Sequence, residues 1–102
     1  MAQVTRDVPF DSSQEVVVAA EAIRKLIVSV LVRKGMFEVE ATIAADRLVE
    51  ADLRGIHSHG SRCLPKYIDA MDAGDIDPRA MSLTICETPA IAVIEASGGL
   101  GH

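Results

Sequence analysis

His57 and His59 stand one residue apart with Ser58 between them, and Gly60, Arg62, Cys63 and Pro65 follow in the stretch RGIHSHGSRCLPKY, Arg54 to Tyr67. Proton transfer is one chemistry such a stretch can do. A histidine just ahead of a helix lies near free backbone N–H groups and the positive end of the helix dipole, which also attract a carboxylate. His59 and Gly60 come immediately before a predicted helix. Gly60 allows close backbone approach, and Arg62 can grip a carboxylate through two parallel hydrogen bonds. The segment could therefore seat an anionic substrate beside a proton donor, with Ser58 as the local partner that fixes the His59 ring.

Two other chemistries fit less well. His57, His59, Cys63 and Cys86 are ligands of the kind zinc takes, but the spacing is poor. One residue separates the histidines, Cys86 falls on a predicted strand, and neither cysteine has a near-neighbour ligand pair, so no metal is expected. A serine or cysteine nucleophile would need an acid to complete a triad. The nearest is Asp52, which belongs to the preceding predicted helix. Against every catalytic reading stands an ordinary connection between two helices, in which Ser and His satisfy backbone groups. Spacing alone leaves both open, and His57 by itself reads as structural or solvent-facing.

The elements that must position this stretch are legible on either side of it. Ser12-Ser13-Gln14-Glu15 matches a capping box ahead of the apolar run VVVAAEAIRKLIVSVLV, which predicts a first helix from about Ser13 to Lys34, stopped by Gly35. Its polar residues Glu21, Arg24, Lys25 and Ser29 form a narrow stripe, the pattern of a helix covered on most sides. A second helix is predicted from about Val39 to Leu53, with Gly55 as a left-handed stop. Pro65 suits the first turn of a third, with Tyr67, Ile68 and Met71 on its apolar side and Ala73-Gly74-Asp75 at its end. Ser82–Cys86 and Ala90–Ala96 then read as two strands joined through Glu87-Thr88-Pro89. The glycine cluster SGGLG, Ser97 to Gly101, follows a strand but is not G-x-G-x-x-G, and a flexible turn is the simpler reading.

A 102-residue chain that is 49% hydrophobic has the size and composition of one small folded domain. Ten basic against fifteen acidic residues give a net charge of −5, which argues against nucleic acid or an anionic membrane as partner while leaving a small anion open. Two cysteines without a CxxC pair read as reduced thiols in a cytoplasmic protein. The start MAQVTRDVPFDSSQ shows no signal-peptide pattern, and charges at Glu21, Arg24 and Lys25 interrupt the apolar run, so no membrane span is expected. A lone hairpin is marginal in water. Residues 1–102 are thus expected to be the helical and hairpin portion of a larger protein, with no separate second domain among them.

The ordered set ADLRGIHSHG (Ala51 to Gly60), Leu64-Pro65-Lys66-Tyr67, Gly74-Asp75-Ile76-Asp77-Pro78, the strand pair and GGLGH resembles the N-terminal part of the malate/L-lactate dehydrogenase family of oxidoreductases. These NAD(P)-dependent enzymes include ureidoglycolate, sulfolactate and diketogulonate-reducing members. The resemblance implies an α+β, non-Rossmann chain about three times this length. Its N-terminal helices, about three, lead into a hairpin of a larger, mostly antiparallel sheet. It further implies a homodimer that uses NAD or NADP on a small 2-hydroxy or 2-oxo acid. The SHG histidine of the family, here His59, would be the proton donor and acceptor, with Ser58, Gly60 and Arg62 on the substrate side. The residues that bind the cofactor are not identified. Several members carry a substrate-binding arginine four residues after that histidine. Here that position is Cys63, and Arg62 stands one place earlier.

Overall fold

The computed structural model describes residues 17–102. Three α-helices lead into an antiparallel strand pair: α1 (Ala20–Arg33), α2 (Glu38–Leu53), α3 (Leu64–Ala73), β1 (Leu83–Glu87) and β2 (Ala92–Glu95). The stretch between α2 and α3 is wound into two successive 3-10 turns, His57–His59 and Ser61–Cys63.

Helix α1 starts later than the sequence suggests. Val17 to Ala19 are not helical and Ala19 is extended, so the predicted start at Ser13 is corrected to Ala20. The β-branched Val17 and Val18 lose side-chain freedom in a helix and account for their place outside it. The capping box itself lies outside the described residues.

The core is the seam between α1 and α2. Ala41, Ala44, Ala45 and Leu48 recur at three- and four-residue intervals along α2 and are all but inaccessible, as are Ile27 and Leu31 of α1. Such spacing puts the side chains on one face of a helix. The small alanines let the two helices approach closely, and Ile27 and Leu31 fill the room they leave. Arg24 of α1 pairs with Asp46 of α2, which fixes the helices in antiparallel register. That hydrogen bond, with the attraction between the charges second, raises the Arg24 pKa above its ordinary value. Met71 of α3 joins the same core, and Lys34 binds Asp72 at 2.7 Å at the surface.

All three helices end where the sequence placed their stops. At the end of α2, Gly55 has φ +77°, its N–H donates to Asp52 O at 3.0 Å, and the Ile56 N–H donates to Ala51 O at 2.8 Å. This is a Schellman closure, which needs a residue at ease in the left-handed region. Gly35 and Gly74 close α1 and α3 in the same way.

The strands pair in antiparallel register, Thr84 with Ile94 and Cys86 with Val93, so Ile85 is an extra residue in a bulge. The predicted strands were each off by one or two residues at their ends. The connection closes on itself, with the Thr88 N–H donating to Ile91 O at 2.7 Å. Every strand residue is exposed, including Leu83, Ile85, Val93 and Ile94. Helix α1 also covers only one face within these residues, leaving Leu26 and Val32 open, so the covered-on-most-sides expectation is not met inside residues 17–102. No helix among the described residues is long and apolar enough to cross a membrane.

Candidate active site

Helix α2 delivers the loop and α3 receives it. Because the Gly55 closure turns the chain sharply, the 3-10 turns that follow fold back beside the last turn of α2 and bring Asp52 against them. The Asp52 carboxylate then does three things. One oxygen, Oδ2, accepts the Ser61 N–H at 3.0 Å. The other, Oδ1, lies 3.3 Å from His57 Nδ1. The same carboxylate covers Gly60: a Cβ built on that residue would fall 1.8 Å from Asp52 Oδ1 and 2.5 Å from its Cγ. Gly60 is buried, with φ −101°, so close approach and not a left-handed backbone is what requires glycine here.

The two histidines take different roles. His57 is half-buried, and because a carboxylate can only accept, its Nδ1 carries the proton in that contact. His59 is exposed, and its Nδ1 lies 2.9 Å from Ser58 Oγ. A hydroxyl can donate or accept, so Ser58 holds the ring without fixing which form it takes. In either case Nε2 of His59 is left free of the loop, and that atom is the one available to a substrate.

Positions 62 and 63 also diverge. Cys63 turns inward, its thiol donating to Ser58 O at 3.0 Å while its side chain packs against the core. Arg62 is exposed and makes no salt bridge among the described residues. With Ser61, Leu64 and Pro65 it borders an open cavity of about 410 Å³ whose far wall is Ile23, Leu26 and Ile27 of α1. His59 does not line that cavity. Ser58, His59, Gly60 and Arg62 thus share one short segment, with His59 and Arg62 on successive turns rather than in one pocket.

Sequence reasoning missed the part played by Asp52, whose place near the end of α2 had set it aside. A signal was available: an acid in the last turn of a helix opposes the dipole, and α2 has no basic residue there to offset it. Such a residue calls for a partner outside its own helix. Tyr67, on α3, lies near the loop; burial, then the neighbouring Cys63, pushes its phenol pKa up. Its ring meets His102 edge to face at 5.5 Å. Burial, then Arg47, pushes the His102 pKa down. Among the described residues no group of three or more His, Cys, Asp or Glu side chains is placed to hold a metal ion. Gly98 to Gly101 follow β2, and their spacing is not G-x-G-x-x-G.

A free imidazole nitrogen on one turn and an accessible guanidinium on the next, both braced from the preceding helix, suit the loop to moving a proton on a small anion. The fold that carries it is the helical and hairpin segment of a known group of dehydrogenases. Residues 18–102 match the family described as Malate/L-lactate dehydrogenase, and the chain belongs to that family. It is 44% identical over 79 residues to L-sulfolactate dehydrogenase of Methanocaldococcus jannaschii, covering 78% of this chain and 23% of that protein. To malate dehydrogenase of Pyrococcus horikoshii it is 42% identical over 76 residues, 74% of this chain and 21% of the relative. The structure of the Pyrococcus horikoshii malate dehydrogenase superposes with a TM-score of 0.77 at 39% identity, covering 82% of this chain and 24% of that one. The chain therefore spans less than a quarter of the length of these curated relatives.

Proposed function

We propose that these residues are the N-terminal part of an NAD(P)-dependent oxidoreductase. The enzyme would exchange a hydride between nicotinamide and C2 of a small 2-hydroxy or 2-oxo acid, or of a cyclic imino acid. The observation that carries this reading is the exposed His59 ring, tethered through Nδ1 to Ser58 and free at Nε2, on a family-matched loop. In reduction His59 Nε2–H gives its proton to the oxygen that becomes the hydroxyl; in oxidation the neutral nitrogen takes it back. Arg62 holds the substrate carboxylate, the contact that the family arginine makes one position later. The cofactor, when bound, supplies or accepts the hydride, and on this reading its binding residues lie outside residues 17–102.

The matched relatives point to malate-like and sulfolactate-like acids, since both names occur among them. The enzyme is further proposed to work as a cytoplasmic homodimer. The test is a nicotinamide absorbance assay on the complete enzyme, with NADH and NADPH separately, against a panel of 2-oxo acids and a cyclic imino acid. Turnover of at least one is expected. An enzyme that binds cofactor and turns over none of the panel would overturn the substrate class.

Arg62→Ala is expected to raise the KM for the acid roughly 10- to 100-fold, the worth of a charged hydrogen-bond pair, while the cofactor KM stays within about twofold. Arg62→Lys should restore only part of the loss, because an ammonium cannot reproduce the planar two-pronged contact. An unchanged KM in Arg62→Ala would remove Arg62 from the substrate site.

A second reading is favoured by the exposed apolar residues Leu83, Ile85, Val93 and Ile94. On it, residues 17–102 serve as an assembly element whose hairpin continues into a larger antiparallel sheet. The two readings agree for a complete enzyme, and on either one these residues alone would bind no nicotinamide cofactor; the second adds that they bind the rest of the enzyme and its dimer mate.

A further inference from the structure

The Asp52 side chain of α2 bonds the loop at His57 and Ser61, and the reaction proposed above gives it no step. We propose that Asp52 is a positioning residue that fixes the spacing between the proton-transfer histidine and the substrate arginine. The inference rests on the reading of His59 and Arg62 given above, and it concerns how the loop holds them.

The argument is geometric. His59 ends the first 3-10 turn, Arg62 lies in the second, and Gly60 is the junction between them. A junction of this kind can pivot, since glycine restrains its own backbone weakly. Here the pivot is held on both sides and across its middle. Asp52 Oδ1 meets the His57 ring, Oδ2 takes the Ser61 N–H, and the carboxylate packs on Gly60 Cα where a side chain would otherwise project. The side chain of Asp52 is 13% exposed, so these contacts are shielded from water. Charge-assisted hydrogen bonds to a shielded carboxylate are stronger than neutral ones in solvent. Helix α2 carries five buried core residues, so the clamp ties the loop to the most deeply packed helix of the fold.

The requirement is mutual. Asp52 can reach Ser61 only because residue 60 has no Cβ, and Gly60 is required only because Asp52 lies there. The two positions should therefore act as one unit under substitution, which a double-mutant cycle detects.

The experiment compares Asp52→Ala, Gly60→Ala, the double variant and Asp52→Asn in the complete enzyme. Asp52→Ala and Gly60→Ala are each expected to lower kcat about 100-fold, the size of effect that misplacing a reacting group by about 1 Å produces. The cofactor KM should stay within about twofold, and kcat is taken per folded enzyme counted by cofactor titration, because loss of folded protein alone would lower the apparent kcat and leave KM unchanged. The double variant should be no worse than either single one. Asp52→Asn keeps an oxygen for the Ser61 N–H and should recover part of the rate. Amide hydrogen exchange at Ser61 reads the clamp without turnover, and it should quicken in Asp52→Ala.

A kcat within twofold of the parent in Asp52→Ala, or losses that simply multiply in the double variant, would overturn the proposal. Should Asp52→Ala fail to fold, Asp52→Asn with the exchange measurement decides it. If the parent enzyme itself turns over no acid, the dehydrogenase reading falls. Exchange at Ser61 then still judges the clamp, and an unchanged rate in the Asp52 variants would overturn it.

Discussion

Replacing His59 by alanine in the complete enzyme is expected to lower kcat about 100- to 10,000-fold, the contribution of a positioned general acid or base. The fold should survive, because the ring is exposed and its one hydrogen bond within the loop is to Ser58. Cofactor binding and thermal stability should therefore stay near the parental values while turnover falls. A small base such as imidazole added to the medium should restore some rate in His59→Ala. Parental turnover in the variant would take the proton-transfer role away from His59. The companion substitution His57→Ala separates the two rings. His57 is half-buried against Asp52, so its loss should disturb loop geometry and stability, and added imidazole should not restore the rate.

Much of this arrangement could be read from local residue chemistry, and the exceptions share a cause. The glycine stops at Gly35, Gly55 and Gly74 were legible because a left-handed residue after an apolar helix has few alternatives, and all three have positive φ. Pro65 marked the first turn of α3 for a similar reason. The start of α1 was misread because the capping-box pattern was given more weight than the valine run that follows it. The bulge at Ile85 left no sequence mark, since the alternation of strand residues continues through it. Asp52 was passed over because its partners lie up to nine residues away and meet it only after the chain has reversed at Gly55 and wound through two short turns. Spacing along the chain reveals neighbours on one element. It does not reveal what a reversal brings back.

The same dependence on α2 makes Leu48→Ala the most damaging change expected in the core. Leu48 is fully buried at the α1–α2 seam with Ile27 and Leu31, the three largest wholly enclosed side chains. Around it on α2 are Ala44 and Ala45, whose methyl groups cannot move in to fill a lost leucine. Collapse of the cavity would require α1 to shift toward α2, which the Arg24–Asp46 pair and the short Lys34–Phe37 connection resist. The cost should therefore lie in the range of about 2 to 5 kcal/mol seen for leucine truncations in rigid cores. Thermal and denaturant unfolding of the complete enzyme would read it as a lowered midpoint. Leu48→Met, which nearly conserves volume, should cost less than about 1.5 kcal/mol. Leu48 is four residues, about one helical turn, before Asp52 on the same helix, so loosening the seam also loosens the anchor of the clamp. Leu48→Ala should then lose kcat at temperatures where the protein is still folded, and Leu48→Met should not. Equal kcat in the two variants under folded conditions would mean that the loop keeps its geometry without the rigid seam beneath it.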